Sequence, residues 1–274
     1  MNKLTNIIKK YKTLFILGCI LLGSSCAVYC CSPASYMNPD SIISSLPRQS
    51  FVKLEKKIHI RACPADPKKL EQCRDRKMGS SASGFVFKRD DEGAYVVTAA
   101  HVCEDSGLKA FLRSTPGTEV VSKMFHVINI DNERYNFIPL KYDMSIDVCV
   151  GYVYSLAKPA VTVSRVHPRP GDVVYNLAAP IGIFNENAIP IMDGYYIGVS
   201  NGIAQYSVPA AGGSSGSPLF NSRGELIGLI HSVYVRFPFV TLSPTYNELI
   251  GFITAHSNKE SNFSEKVLQK YLSF

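Results

Sequence analysis

Gly213-Ser214-Ser215-Gly216-Ser217-Pro218 sets a serine between glycines, and two residues upstream decide how that serine is read. The apolar run Tyr95-Val96-Val97-Thr98-Ala99-Ala100 ends on His101, and Asp147 interrupts a second one, Ile146-Asp147-Val148-Cys149-Val150. A serine hydroxyl is a poor nucleophile at neutral pH and needs an adjacent base, which in turn needs a group to orient it. His101 supplies the base, Asp147 the orienting carboxylate and Ser215 the nucleophile. Gly213 and Gly216 allow turns that a side chain would forbid. The N–H groups of Gly213 and Ser215 are then expected to converge on a developing oxyanion. A charge inside an apolar run is costly unless paired, which singles out Asp147 over Asp143.

Around these residues, short β-rich segments alternate with turn residues. Strands are expected at 51–60, 83–88, 95–98, 109–113, 120–130, 146–153, 161–166, 172–178, 195–199, 203–208, 217–220, 225–231 and 233–240. Many strands and few helices argue for a sandwich or barrels. One helix is expected near the carboxyl end, over Glu265–Leu272, capped by Asn262-Phe263-Ser264 and with Val267, Leu268 and Tyr271 on one face.

Charge is unevenly spread over the 274 residues, whose formal net charge is +7. Residues 1–78 hold 14 Lys+Arg against 5 Asp+Glu, whereas residues 79–274 hold 15 against 17. The part that carries the motifs has no positive field, so no nucleic-acid partner is expected. At the amino terminus Lys3, Lys9, Lys10 and Lys12 precede an apolar stretch, Thr13–Gly23, followed by Ser24, Ser25 and Cys26. That pattern reads as an export signal. The stretch is short against the roughly 20 apolar residues of a spanning helix. A membrane anchor, or a lipoprotein-like site at Leu22–Cys26, stays open beside it.

The eight cysteines include four in or beside that segment. Cys63 and Cys73 bracket a Pro/Lys-rich loop and are candidates for a disulfide in an oxidising compartment. Cys103 and Cys149 each follow a candidate site residue by two positions. If His101 and Asp147 meet, these thiols are neighbours, bonded or merely packed. No spacing suits zinc, so neither a metal site nor a cofactor is expected.

Four stretches resemble the trypsin-like (chymotrypsin-fold) serine proteases, in the style of bacterial and phage-type members such as the high-temperature-requirement proteases. They are Ser83-Gly84-Phe85-Val86, Thr98-Ala99-Ala100-His101-Val102, Gly171–Val174 with Pro180-Ile181-Gly182, and Gly213–Leu219 with Gly224–Gly228. The resemblance implies an all-β fold, two six-stranded antiparallel β-barrels, here with a C-terminal α-helix. It implies a serine endopeptidase acting on protein or peptide substrates through an acyl-enzyme. The domains expected are a signal peptide or membrane anchor at 1–31, a linker at 32–50, the protease domain at 51–256 with its barrels divided near 160–170, and a C-terminal helix at 257–274. The protein is expected to be extracytoplasmic, membrane-anchored or secreted, with any membrane association through the amino-terminal segment.

Departures from the family pattern bear on the reading. Cys149 stands where the aspartate motif carries alanine, and Ser214 where trypsin-like zymogens carry aspartate, so activation through that ion pair is not expected. No PDZ domain is expected after the final strand. The substrate pocket is expected between Ser207–Gly212, through Pro209 and Ala210, and His231-Ser232-Val233. No acidic residue lies in either stretch, which points to a small or apolar residue before the cut. Two rival readings remain. A Ser214 nucleophile in a G-x-S-x-G elbow lacks the later aspartate and the helices that fold needs. The other is a catalytically inactive protease-like binding or envelope protein.

Overall fold

The computed structural model describes residues 39–64, 73–185 and 188–257. The chain divides into two compact units, Met1–Pro39 and Asp40–Phe274. Of the first unit only Pro39 is described; apart from that residue, the elements named below belong to the second. The expected amino-terminal signal and the expected helix over 265–272 lie outside the described residues.

Two antiparallel sheets make up the unit. The first contains β1 (Phe51–Ala62), β2 (Arg74–Arg89), β3 (Gly93–Thr98), β4 (Thr118–Ile128), β5 (Arg134–Asn136), β6 (Ile138–Asp143) and β7 (Val148–Tyr154), in the order β5-β4-β1-β2-β3-β7-β6. The second contains β8 (Val173–Leu177), β9 (Ile191–Ser200), β10 (Ile203–Tyr206), β11 (Ser217–Phe220), β12 (Leu226–Ile230), β13 (Ser232–Tyr234) and β14 (Phe237–Pro244), in the order β12-β11-β8-β9-β10-β14-β13. The two edge strands of each sheet are consecutive in the chain. β5 and β6 are separated by Phe137 alone, and β12 and β13 by His231 alone. Each pair is one bent strand whose halves hydrogen-bond opposite edges, so six strands run round each barrel.

The first bend has a visible cause. A Cβ on Gly151 of β7 would lie 2.2 Å from the Phe137 ring, so only glycine there lets the ring fold across the strand. Phe137 then packs edge-on against Phe125 with centroids 4.7 Å apart.

Three apolar clusters arise from the strand alternation. Val52, Leu54, Val86, Val96, Val127 and Leu156 fill the first barrel. Val174, Tyr196, Tyr206, Leu219 and Ile227 fill the second. A third cluster, including Phe51, Phe85, Val150, Leu177, Phe220 and Leu229, joins residues of both barrels. Leu249 and Ile253 of a helix, Tyr246–His256, belong to it as well. Thr245 caps that helix, its hydroxyl accepting from the Glu248 amide while Glu248 accepts from the Thr245 amide.

Several sequence expectations are corrected. Residues 109–113 belong to a helix, Ser106–Ser114, in which Leu108, Phe111 and Leu112 recur at helical spacing. Residues 161–166 make only an isolated bridge, Val163 to Leu226, because the chain there crosses between barrels. The stretch 233–240 is a hairpin turning at Val235-Arg236 rather than one strand. Within the expected linker, Pro39–Ser45 forms a helix and Arg48–Ser50 a 3-10 turn, since Ile42 and Leu46 both find buried positions. β5 and β6 were not expected.

Candidate active site

His101 does not sit on β3 itself. The strand ends at Thr98, and His101 follows in a single helical turn, Ala100–Cys103. Asp147 also lies just outside its strand, in the turn before β7, with φ 53°. The left-handed region is one that aspartate tolerates better than most residues. There its carboxylate faces the histidine turn: the His101 backbone N–H donates to Oδ1 at 2.9 Å, and Nδ1 of the ring lies 2.8 Å from Oδ2. Burial works to raise the Asp147 carboxyl, but the ring bond, the amide bond and the His101 charge outweigh it and hold it below the ordinary carboxylate range. Asp143 is engaged elsewhere, accepting from the amide and hydroxyl of Ser145 in its own turn.

Lys56 of β1, whose role was not legible in the sequence, holds the histidine turn from below. It is 9% exposed and donates to the carbonyls of Val102 and Glu104 at 3.3 and 3.1 Å. Its ammonium also pairs with Asp105 at 2.6 Å.

The two candidate serines differ in surroundings. Ser214 is 1% exposed, and its hydroxyl accepts from the Ala211 amide at 3.3 Å. Ser215 is half-buried. Gly213 has φ 100° and Gly216 φ 85°, both in the range glycine favours. Gly216 also lies against the histidine side of the cleft, where an added Cβ would come within 2.2 Å of Thr98 Oγ1. The serine loop and the strand leading to His101 are thereby in direct contact.

The carbonyls of this loop are all tied down. Gly212 O accepts from the Ile181 amide at 2.5 Å and Ser214 O from the Ser217 amide at 3.0 Å. Ser83 of β2 binds the other two, its hydroxyl donating to Gly213 O and its amide to Ser215 O, each at 2.8 Å. The same hydroxyl accepts from the Ala179 amide at 2.9 Å. Among the described residues, the N–H groups of Gly213 and Ser215 donate to no protein acceptor. Ile181 adopts φ 48°, unusual for a β-branched residue, while supplying its amide to this loop.

Of the expected pocket residues, Pro209 and Ala210 are half-buried, and the Ala210 amide donates to Pro238 O in the β13–β14 hairpin. Ser232 and Val233 stand half-buried on β13. His231, at the bend before β13, has its side chain 15% exposed. Its Nδ1 lies 2.9 Å from Ser232 Oγ and 3.8 Å from Asp147 Oδ2. The ring thus lies beside the Asp147 carboxylate. Burial pushes its pKa down; Asp147 pulls it up, and His101 adds to the lowering.

The candidate pair Cys63–Cys73 is a disulfide, and so is Cys103–Cys149, whose bonding the spacing had left open. The second ties the histidine turn to β7, two residues beyond Asp147. Closing a 46-residue separation, it is worth about 2–4 kcal/mol. A Cys103→Ala/Cys149→Ala double variant is expected to melt about 10 °C lower than wild type. Scanning fluorimetry reads the shift, and an unchanged Tm would mean the bond holds nothing the surrounding core does not already hold. No group of His, Cys, Asp or Glu among the described residues is arranged to hold a metal.

A model of the trypsin-like peptidase domain matches residues 82–229, just over half the chain. The chain belongs to the trypsin-like peptidase family. A curated relative, the "Probable periplasmic serine endoprotease DegP-like" of Pseudomonas fluorescens, is 26% identical to this family member over 174 residues, 60% of the chain. The matched part spans only 31% of that relative's length. Among solved structures, the Rv3671c protease from M. tuberculosis in its active form is similar in fold, with TM-score 0.55 and 19% identity. The likeness covers 83% of this chain and 88% of that one. The serine endoprotease from Yersinia pestis gives TM-score 0.54 at 15% identity, over 79% of this chain and 65% of that one. The peptidase domain thus has the chymotrypsin-like fold.

Proposed function

We propose that the chain is a serine endopeptidase working through His101, Asp147 and Ser215. The observation that carries the reading is the two-pronged grip of Asp147 on His101, ring and backbone together. With Nδ1–H donated to Oδ2, Nε2 is left with its lone pair, the tautomer a general base requires. Ser215 attacks a peptide carbonyl as Nε2 takes its proton, and the Gly213 and Ser215 amides receive the oxyanion. The imidazolium, stabilised by Asp147, then protonates the leaving amine. Water enters, loses a proton to the same nitrogen, and releases the acid from the acyl-enzyme.

Two disulfides support a location outside the cytoplasm. So do the lysine-led apolar segment at the amino terminus and the periplasmic label of the DegP-like relative. Pocket walls without an acidic residue favour a small or apolar side chain before the cut.

A fluorophosphonate probe tests the assignment directly. The expected adduct, mapped by peptide mass spectrometry, is a single one on Ser215. An adduct on Ser214, or none on active protein, would remove the nucleophile from this reading.

A further inference from the structure

The outer half of β2 is an open sheet edge that begins at the nucleophile. β1 and β2 pair without a register break from Phe51↔Phe85 to Ala62↔Arg74. β3 covers the other side of β2 only at Phe85–Arg89. At Ser83 that side meets the catalytic loop, the Ser83 amide donating to Ser215 O at 2.8 Å. Just beyond, Ser81 lies beside the Pro180–Gly182 turn, where a Cβ on Gly182 would be 3.5 Å from Ser81 Oγ. Farther out, no described residue pairs with this edge, and Arg74–Ser80 are all exposed.

Strand alternation says which groups the edge offers. Because the Ser83 amide points away from β1, every second residue outward does the same. Asp75, Lys77 and Gly79 therefore turn both N–H and C=O to the open side. The cationic side chains along this stretch are Arg74, Arg76 and Lys77, for which no ion pair occurs among the described residues. The single acid, Asp75, is held by Arg61 at 2.9 Å and faces His59 at 3.5 Å. Among the described residues, a strand edge with no pairing strand and three positive charges without an acidic partner thus runs away from Ser215.

Resting on the peptidase reading above, we propose that this edge is a docking rail for the substrate, taking an extended, acidic stretch of polypeptide on the side of the cleaved bond opposite the pocket. Backbone pairing with Asp75, Lys77 and Gly79 supplies affinity, and Arg74, Arg76 and Lys77 select acidic side chains. Continuity with the catalytic loop fixes the occupant as the substrate chain itself. A second copy of the protein fits poorly, since pairing like edges sets three positive charges against three.

The test uses a quenched peptide that the protein cleaves, extended past the cut by eight residues. One tail alternates Glu with Thr, one alternates Lys with Thr, and one is the Glu tail with proline at every second position. The Glu tail is expected to raise kcat/KM about tenfold over the Lys tail at low salt. That preference should reverse in Arg74→Glu/Arg76→Glu/Lys77→Glu, and the gain from the Glu tail should be lost with proline in it, while the tail-free peptide is cut equally by both proteins. Fluorescence anisotropy of the labelled Glu tail on Ser215→Ala reads docking without turnover, so a wrong nucleophile cannot mask or mimic the rail. Equal handling of Glu and Lys tails, or a triple variant that keeps the preference, would overturn the proposal. So would wild-type dimers that the triple variant abolishes, since the edge would then be an interface between copies.

Discussion

Ser215→Ala is expected to lower turnover of a peptide substrate on the order of 10⁶-fold, as removal of a nucleophile does in a triad that acts as a unit. Ser214→Ala should keep most of it. The two serines are adjacent, so a sequence motif cannot separate them; their surroundings do. The Ser214 hydroxyl is buried and occupied by the Ala211 amide, whereas Ser215 is half-buried. Removing the Ser214 hydroxyl leaves the Ala211 amide short of a partner, a cost to stability on the order of 1–3 kcal/mol rather than to chemistry. The contrast is measured as kcat and Tm for each variant on one substrate. Ser215→Ala should lose kcat with Tm and KM near wild type, and Ser214→Ala the reverse. A Ser215→Ala protein that still turns over peptide at a tenth of the wild-type rate would rule out covalent catalysis at this residue.

What the sequence made legible is the peptidase family, because its motifs set particular residue types with particular freedom around them. Glycines around Ser214-Ser215, and a carboxylate in an otherwise apolar run, are the local marks on which that match could be read. The devices that hold those groups were invisible because they are long-range. Lys56 lies 46 residues before Val102, whose carbonyl it grips, and nothing in a run of alternating strand residues marks that lysine as buried. Ser83 was read as part of a strand motif, yet its hydroxyl bonds to a residue 130 positions away.

Barrel closure was hidden for a different reason. The bends at Phe137 and His231 depend on what the opposite strand allows, as the close approach of Gly151 to Phe137 makes plain. Local pattern also misled at 109–113, where a short amphipathic helix carries too few residues for its period to stand out from a strand's. The helix over Tyr246–His256, by contrast, did leave a trace. Thr245-Tyr246-Asn247-Glu248 is a capping box, followed by Leu249 and Ile253 one turn apart.

Asp147→Asn tests the tautomer on which the chemistry rests. The isosteric amide can keep one contact, its carbonyl accepting from the His101 amide as Oδ1 does now. Its NH2 group then faces the ring nitrogen that presently lies 2.8 Å from Oδ2. Two donors cannot bond, so the imidazole proton moves from Nδ1 to Nε2 and the base presents an N–H to the serine. Turnover is expected to fall about 10⁴-fold with KM little changed.

A stability readout separates this from general damage. The folded Asp147 carboxyl sits below its ordinary value of 3.8, so its ionised form contributes stability that is fully present above that value. The contribution disappears as pH falls through the depressed folded value. The Tm gap between wild type and Asp147→Asn should therefore be widest near neutrality and close toward strongly acid pH. His231, 3.8 Å from the same oxygen, loses that neighbouring charge in the variant, so the gap also contains the part of its titration that Asp147 raises. A gap independent of pH would mean that the carboxylate is not charged against the imidazole, and its orienting role would fall with it.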